Sequence, residues 1–234
     1  MIARNREPTP APARAGVSVA VSVCSYAAGR APAGGDWCEA VALDEHAMAL
    51  TVGDVSGHGR SVAGAMATMR ASILRTLLDV RVPSTVLSVA NEVANTLAEG
   101  TLVTAVVALV DHRLKTLTFA NAGHPPPLLL GLDHHAFLES RPADLPLGVF
   151  SHHSAADYVI ALPSDALLVL YTDGITEHDR DPVRGELELV EAARFAYDRP
   201  HLYAARAIAR RVLNACRGDD DAAAIALRTI PLGA

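Results

Sequence analysis

Four stretches of this chain set aspartate beside glycine where an apolar run meets a turn. They are "AGGDW" with Asp36, "VGDVSGHG" with Asp54, "LLVLYTDGITE" with Asp173, and "RGDDDAAAIAL" with Asp219, Asp220 and Asp221. Glycine lets a backbone bend sharply and approach a ligand closely. A carboxylate at the edge of a core is costly unless it is paired or metal-bound. Arg217 is the one Arg or Lys within two positions of any of these acids, so cations from elsewhere must neutralise them. Oxygen-only donor sets select hard divalent ions, Mg2+ or Mn2+, over zinc. Two such ions about 3.5–4 Å apart can activate a water and clamp a phosphoryl group. A single Asp–Gly pair reads more simply as an ordinary turn. Four such stretches in one chain point to one shared site.

The elements that must position these acids are a mixture of strands and helices. "VSVAVSVCSY" reads as a strand, and "CEAVALDEHAMALTVGD" as two strands around a turn at Asp44, Glu45 and His46. Behind Gly59, the positions Val62, Met66, Met69, Ile73 and Leu77 step along one helix face. Val86, Ala90, Val93 and Leu97 repeat that step behind Pro83, predicting a second helix to about 98. "LVTAVVALV" is apolar on both faces and belongs in the middle of a sheet. It pairs with "KTLTFANAG" through a turn at Asp111, His112 and Arg113. Further strands are expected near 127–130, 136–139, 156–161 and 166–172, and helices near 185–196 and 201–216. "AAAIALRTI" closes the chain as a strand. Antiparallel strands with paired helices predict an α+β fold, sheet packed on sheet with helices outside.

Composition narrows the class. The 234 residues are 50% hydrophobic with a net charge of −6, and the mean hydropathy is +0.23. That length and composition suit one sizeable core. A negative field disfavours nucleic acid and anionic membrane surfaces as partners. Cys24, Cys38 and Cys216 are odd in number and lack CxxC spacing, so neither a disulfide framework nor a zinc knuckle is expected. No signal-peptide pattern and no apolar run of about 20 residues is seen, which predicts a cytoplasmic chain. Residues 1–16, rich in Pro, Ala and Arg, read as a flexible tail, residues 230–234 as a short C-terminal one, and "SRPADLPLG" as an ordered loop within the domain.

"AGGDW", "VGDVSGHG", "FANAGHPPPLLL", "LPLGV", "LLVLYTDGITE" and "DDAAAIALR" follow in that order. Together they resemble the PPM-type (protein phosphatase 2C-like) serine/threonine phosphatases of the bacterial SpoIIE-like branch. The resemblance covers residues 17–229. It implies a four-layer α-β-β-α sandwich, two antiparallel sheets flanked by helix pairs, with two Mn2+ or Mg2+ ions at one edge. It further implies hydrolysis of phosphoserine or phosphothreonine on a protein by attack of a metal-bridging water. By position, Asp36 and Asp54 resemble the shared metal ligands and Val55 a carbonyl ligand. Asp173 and Asp220 would complete the set, with Asp219 or Asp221 as alternatives to Asp220. The branch implies a phosphorylated STAS-type anti-anti-sigma substrate in a partner-switching circuit. Cys38 and Glu39 stand where tyrosine or phenylalanine and aspartate are more usual, and Ala223 stands where threonine is common.

Other residues carry less definite expectations. His58, Gly57, Gly174 and Asp221 are candidates to touch substrate or brace the ligands. His124 reads as the exit turn of a strand. Trp37 is expected to pack beneath the site, and Thr172 and Glu177 to support or cap the "TDG" turn. The pairs His134–His135 and His152–His153 read as surface residues. The helix pair that starts at the Asp54 turn could relay partner binding to the site. Two rivals to the phosphatase reading remain: an inactive module that sequesters a phosphoprotein, and a hydrolase of small phosphoesters.

Overall fold

The computed structural model describes residues 17–26, 34–140, 145–177, 181–199, 204–215 and 221–231. Among the described residues, ten strands form two antiparallel sheets. The first comprises β1 (Val17–Tyr26), β6 (Leu128–Leu130), β7 (His135–Phe137), β9 (Ala166–Tyr171) and β10 (Ala222–Pro231), in the order β1-β10-β9-β6-β7. The second comprises β2 (Trp37–Ala42), β3 (Ala47–Val55), β4 (Val103–Asp111), β5 (Thr116–Ala122) and β8 (Tyr158–Ala161), in the order β2-β3-β4-β5-β8. Among the described residues, the helices α1 (Arg60–Asp79), α2 (Pro83–Ala94), α3 (Pro182–Tyr197) and α4 (Ala204–Ala215) supply the outer layers.

Three apolar clusters show how the layers stack. Leu50, Val52, Val106, Ala108, Leu117 and Phe119 of the second sheet meet Leu168, Leu170, Ile225 and Leu227 of the first. Alternate residues of the same strands turn away from that interface. Ala49, Ala105, Val107 and Ala120 pack against Met69, Ile73, Leu77, Val86 and Leu87 of α1 and α2. Leu167, Val169, Ala224 and Ala226 pack against Leu189, Ala192 and Ala193 of α3 and Ile208 of α4. The period-2 alternation of each strand is therefore used on both faces, and the expected α-β-β-α sandwich is the fold found. The central position expected for "LVTAVVALV" is that of β4, between β3 and β5.

The second helix is shorter than its apolar spacing predicts. It ends at Ala94, and Leu97 lies in the following turn. Asn95 Nδ2 donates to the Asn91 carbonyl at 2.9 Å and Thr96 Oγ1 to the Val93 carbonyl at 2.7 Å. Such side-chain bonds offer the last carbonyls an alternative to the helical ladder. β10 runs through Pro231, two residues into the stretch expected as a tail. Of the loop "SRPADLPLG", Leu147 pairs with Val103, and the buried Asn91 Oδ1 accepts the Gly148 N–H at 2.9 Å. Residues 1–16, 141–144 and 232–234 lie outside the described residues.

Candidate metal-binding active site

The site lies where the apolar rows between the sheets run out. On β3 the inward row Leu50, Val52 continues to Asp54. On β4 the row Val110, Ala108, Val106 continues to Thr104, which pairs directly with Asp54. On β9 the row Leu168, Leu170 continues to Thr172, next to Asp173. Asp36 stands just ahead of β2, in the loop that reaches this edge. Strand alternation thus delivers polar side chains from three strands to one end of the inter-sheet core.

Three glycines let the loops close together. A β-carbon on Gly35 would overlap the Val55 carbonyl oxygen and lie 2.8 Å from Asp54 Oδ1. One on Gly34 would overlap the Asp221 carboxylate, and one on Gly174 the Asp221 carbonyl. Asp221 Oδ2 accepts the Gly35 N–H at 3.1 Å, and the Val55 N–H donates to the Gly35 carbonyl at 3.2 Å. Asp173 opens a single 3-10 turn, and its carbonyl accepts the N–H groups of Thr176 and Glu177, each at 2.7 Å. Gly57 and Gly59 take φ of +105° and +97° on the exposed turn between β3 and α1, a region that favours glycine. His58 is exposed on that turn.

Asp36, Asp54 and Asp173 are each half-buried, and their charges act on one another. Burial first, and then the charge and hydrogen bond of Asp54 and the charge of Asp173, push the Asp36 carboxyl up to about 8, against a lowering by the Thr172 hydroxyl. Thr172 Oγ1 donates to Asp36 Oδ2 at 2.7 Å and accepts the Ala223 N–H at 2.8 Å. That buried hydroxyl joins a strand of the first sheet to an acid carried by the second. The main chain of Ala223, at the position where threonine is common, makes the bond.

The neighbours divide into braces and bystanders. Trp37 is buried, stacks where Gly53 leaves no side chain, and donates Nε1–H to Thr51 Oγ1 at 3.3 Å. Glu39 forms an ion pair with Arg70 of α1, fastening that helix to β2. Burial pushes the Cys38 thiol up to about 12, so it stays protonated and is no nucleophile. His124 lies in the exit turn of β5, as its sequence suggests, but is buried there and bonded at both ring nitrogens. Asn121 three residues earlier, and Thr104 in an otherwise apolar strand, were the legible signals of a buried polar link. His153 is half-buried, with its Nε2 2.9 Å from the Leu145 carbonyl, while His134, His135 and His152 are exposed as expected.

Among the described residues, no three His, Cys, Asp or Glu side chains form a ready cage for a metal ion. Asp219 and Asp220 lie outside the described residues. The acids that are described still suit a hard cation. Asp36 as a carboxyl shares a hydrogen bond with the Asp54 carboxylate at a core edge, a third acid lies in reach of their field, and a main-chain carbonyl is brought beside them. A divalent ion would relieve that like-charge repulsion with oxygen donors alone.

Comparison with known proteins agrees with this geometry. Residues 44–230 match the family described as Stage II sporulation protein E (SpoIIE). The structure of the RsbU and RsbW domains of a Mycobacterium tuberculosis protein superposes with a TM-score of 0.79 at 25% identity, covering 93% of this chain and 61% of that one. The PP2C phosphatase domain with a regulatory fragment of SpoIIE from Bacillus subtilis gives 0.79 at 16% identity, covering 94% and 65%. RsbX, solved in complex with magnesium, gives 0.70 at 13% identity, covering 90% and 95%. The chain thus spans under two thirds of the length of the first two. The family match over most of its length shows that the chain belongs to the Stage II sporulation protein E (SpoIIE) family, and its α-β-β-α sandwich is the fold of the PP2C phosphatase domain on which it superposes.

Proposed function

We propose that this chain hydrolyses phosphoserine or phosphothreonine on a protein, as a Mn2+/Mg2+-dependent phosphatase domain spanning residues 17–229. The observation that carries this reading is the Asp36–Asp54 pair. A carboxyl and a carboxylate hydrogen-bonded at the edge of the inter-sheet core, with Asp36 pushed up to about 8, need a multivalent cation to be charged together at neutral pH. Asp36 and Asp54 would be shared by two divalent ions, with the Val55 carbonyl, Asp173 and Asp220 completing the donors. Bound there, the ions would supply an activated water and neutralise the phosphoryl oxygens. The protein's part is positional. Thr172 occupies one side of the Asp36 carboxylate, Gly35 admits the Val55 carbonyl, and the turn after Asp173 fixes where that acid begins.

The likeness to an RsbU-containing chain supports a small STAS-type anti-anti-sigma protein as the phosphorylated substrate, within a cytoplasmic partner-switching circuit. Among the described residues no helix is long and apolar enough to cross a membrane. The test is hydrolysis of p-nitrophenyl phosphate in EDTA, Mg2+ or Mn2+, beside Asp173→Asn. Turnover that needs the metal and vanishes in the variant supports the reading. Phosphate release from a phosphorylated STAS-type protein then separates a protein phosphatase from a hydrolase of small esters. Tight binding of that protein without release would favour a sequestering module.

A further inference from the structure

We infer that His124 is a positioning residue for the carboxylate site, a single imidazole that sets the spacing between the Asp54 edge of one sheet and the Asp173 edge of the other. This inference rests on the metal-phosphatase reading above. Nε2 lies 3.0 Å from the carbonyl oxygen of Tyr171. A carbonyl can only accept, so Nε2 carries the hydrogen. Nδ1 lies 2.8 Å from Thr104 Oγ1; in the neutral ring its lone pair accepts the Thr104 hydroxyl. Burial holds the ring neutral, pushing its pKa down to about 4.

The two anchor points are what give the bond pair its consequence. Thr104 is the direct cross-strand partner of Asp54. Tyr171 ends β9, immediately before Thr172, which holds Asp36, and Asp173. The ring itself cannot drift, because its own turn is locked. The His124 N–H donates to Asn121 Oδ1 and Asn121 Nδ2 donates to the His124 carbonyl, both at 2.8 Å, around Gly123 at φ +66°. A rigid planar ring with two fixed hydrogen bonds therefore spans the seam directly behind the acids. Since His124 is buried, it acts through those acids and not on substrate.

The experiment uses the full chain as wild type, His124→Phe, His124→Gln and Thr104→Val. Phenylalanine keeps the ring volume without either bond, and glutamine can return an N–H to the Tyr171 carbonyl. Thr104→Val removes the other bond while keeping shape. Three readouts are taken: thermal unfolding in EDTA, Mn2+ binding by isothermal titration calorimetry, and p-nitrophenyl phosphate kinetics. The expected result is Mn2+ binding weakened by about tenfold or more in a folded His124→Phe, with kcat lowered more than KM is changed. Glutamine should recover most of that loss, and Thr104→Val should fall between. A folded His124→Phe that binds Mn2+ like wild type overturns the inference. Should phenylalanine prevent folding, wild-type Mn2+ affinity in Thr104→Val overturns it instead. If wild type itself neither binds Mn2+ nor cleaves the ester, the phosphatase reading fails and takes this inference with it. If wild type does both and the variants match it, the inference alone fails.

Discussion

Asp36 and Asp44 stand at opposite ends of β2, the same side chain beside the same strand, in opposite electrostatic settings. Asp44 lies in the exposed turn to β3. Its Oδ1 accepts the N–H groups of His46 and Ala47 at 2.8 and 2.9 Å, and its Oδ2 pairs with Arg81. Arg81 first, then those N–H groups, pull its carboxyl down to about 2. Asp36 meets burial and two more acids, and is pushed up to about 8. At the Asp44 end, Asp111 repeats the local solution by accepting the N–H groups of Arg113 and Leu114. The lesson is that a turn aspartate is ordinary when donors within three residues satisfy it. It becomes chemically useful when the nearest charges share its sign.

The largest effect that could break this contrast is on turnover. Asp54→Asn should lower kcat by at least about 100-fold with little loss of fold, if its carboxylate serves the cation site as proposed. Asp44→Asn should leave kcat near wild type and slightly lower the unfolding temperature. Equal activity in the two variants, measured on p-nitrophenyl phosphate with Mn2+, would erase the distinction between the two ends.

A smaller effect is expected at Thr172. Thr172→Val removes the donor to Asp36 and strands the buried Ala223 N–H, an unsatisfied group that costs about 1–3 kcal/mol. The half-saturating Mn2+ concentration should rise, and Thr172→Ser should restore it. A valine variant with unchanged Mn2+ dependence and stability would show that the hydroxyl does not orient the acid.

The smallest effect sharpens the comparison through pH. In metal-free protein, Asp36 keeps its proton up to about pH 8 when folded and loses it near 3.8 when unfolded. The folded state then holds more protons across that window, so this group's contribution falls as pH rises toward 8. His124 has the opposite sign: its contribution is present above 6.5 and is lost as pH falls toward about 4. Between pH 6.5 and 8, therefore, the unfolding temperature in EDTA should drop more for wild type than for Asp36→Asn. Parallel slopes would mean that Asp36 is not the buried acid.

Much of this molecule was determined by the sequence alone. Alternating apolar residues define the strands, apolar spacing defines α1, and the glycine-flanked Asp36, Asp54 and Asp173 mark strand ends at one edge. Local chemistry suffices there, because the period of a strand or helix is written in neighbouring residues. Where side chains outside that period compete for backbone, as Asn95 and Thr96 do, the spacing overran the helix. Only the tertiary structure decided which polar groups meet. Thr172 and Asp36 are 136 positions apart, Gly35 and Asp221 are 186 apart, and His124 reaches Tyr171 across 47. Alternation tells which face a residue takes. Which residue lies opposite depends on how far one sheet slides and turns over the other, and that is set by the packing of the whole inter-sheet core.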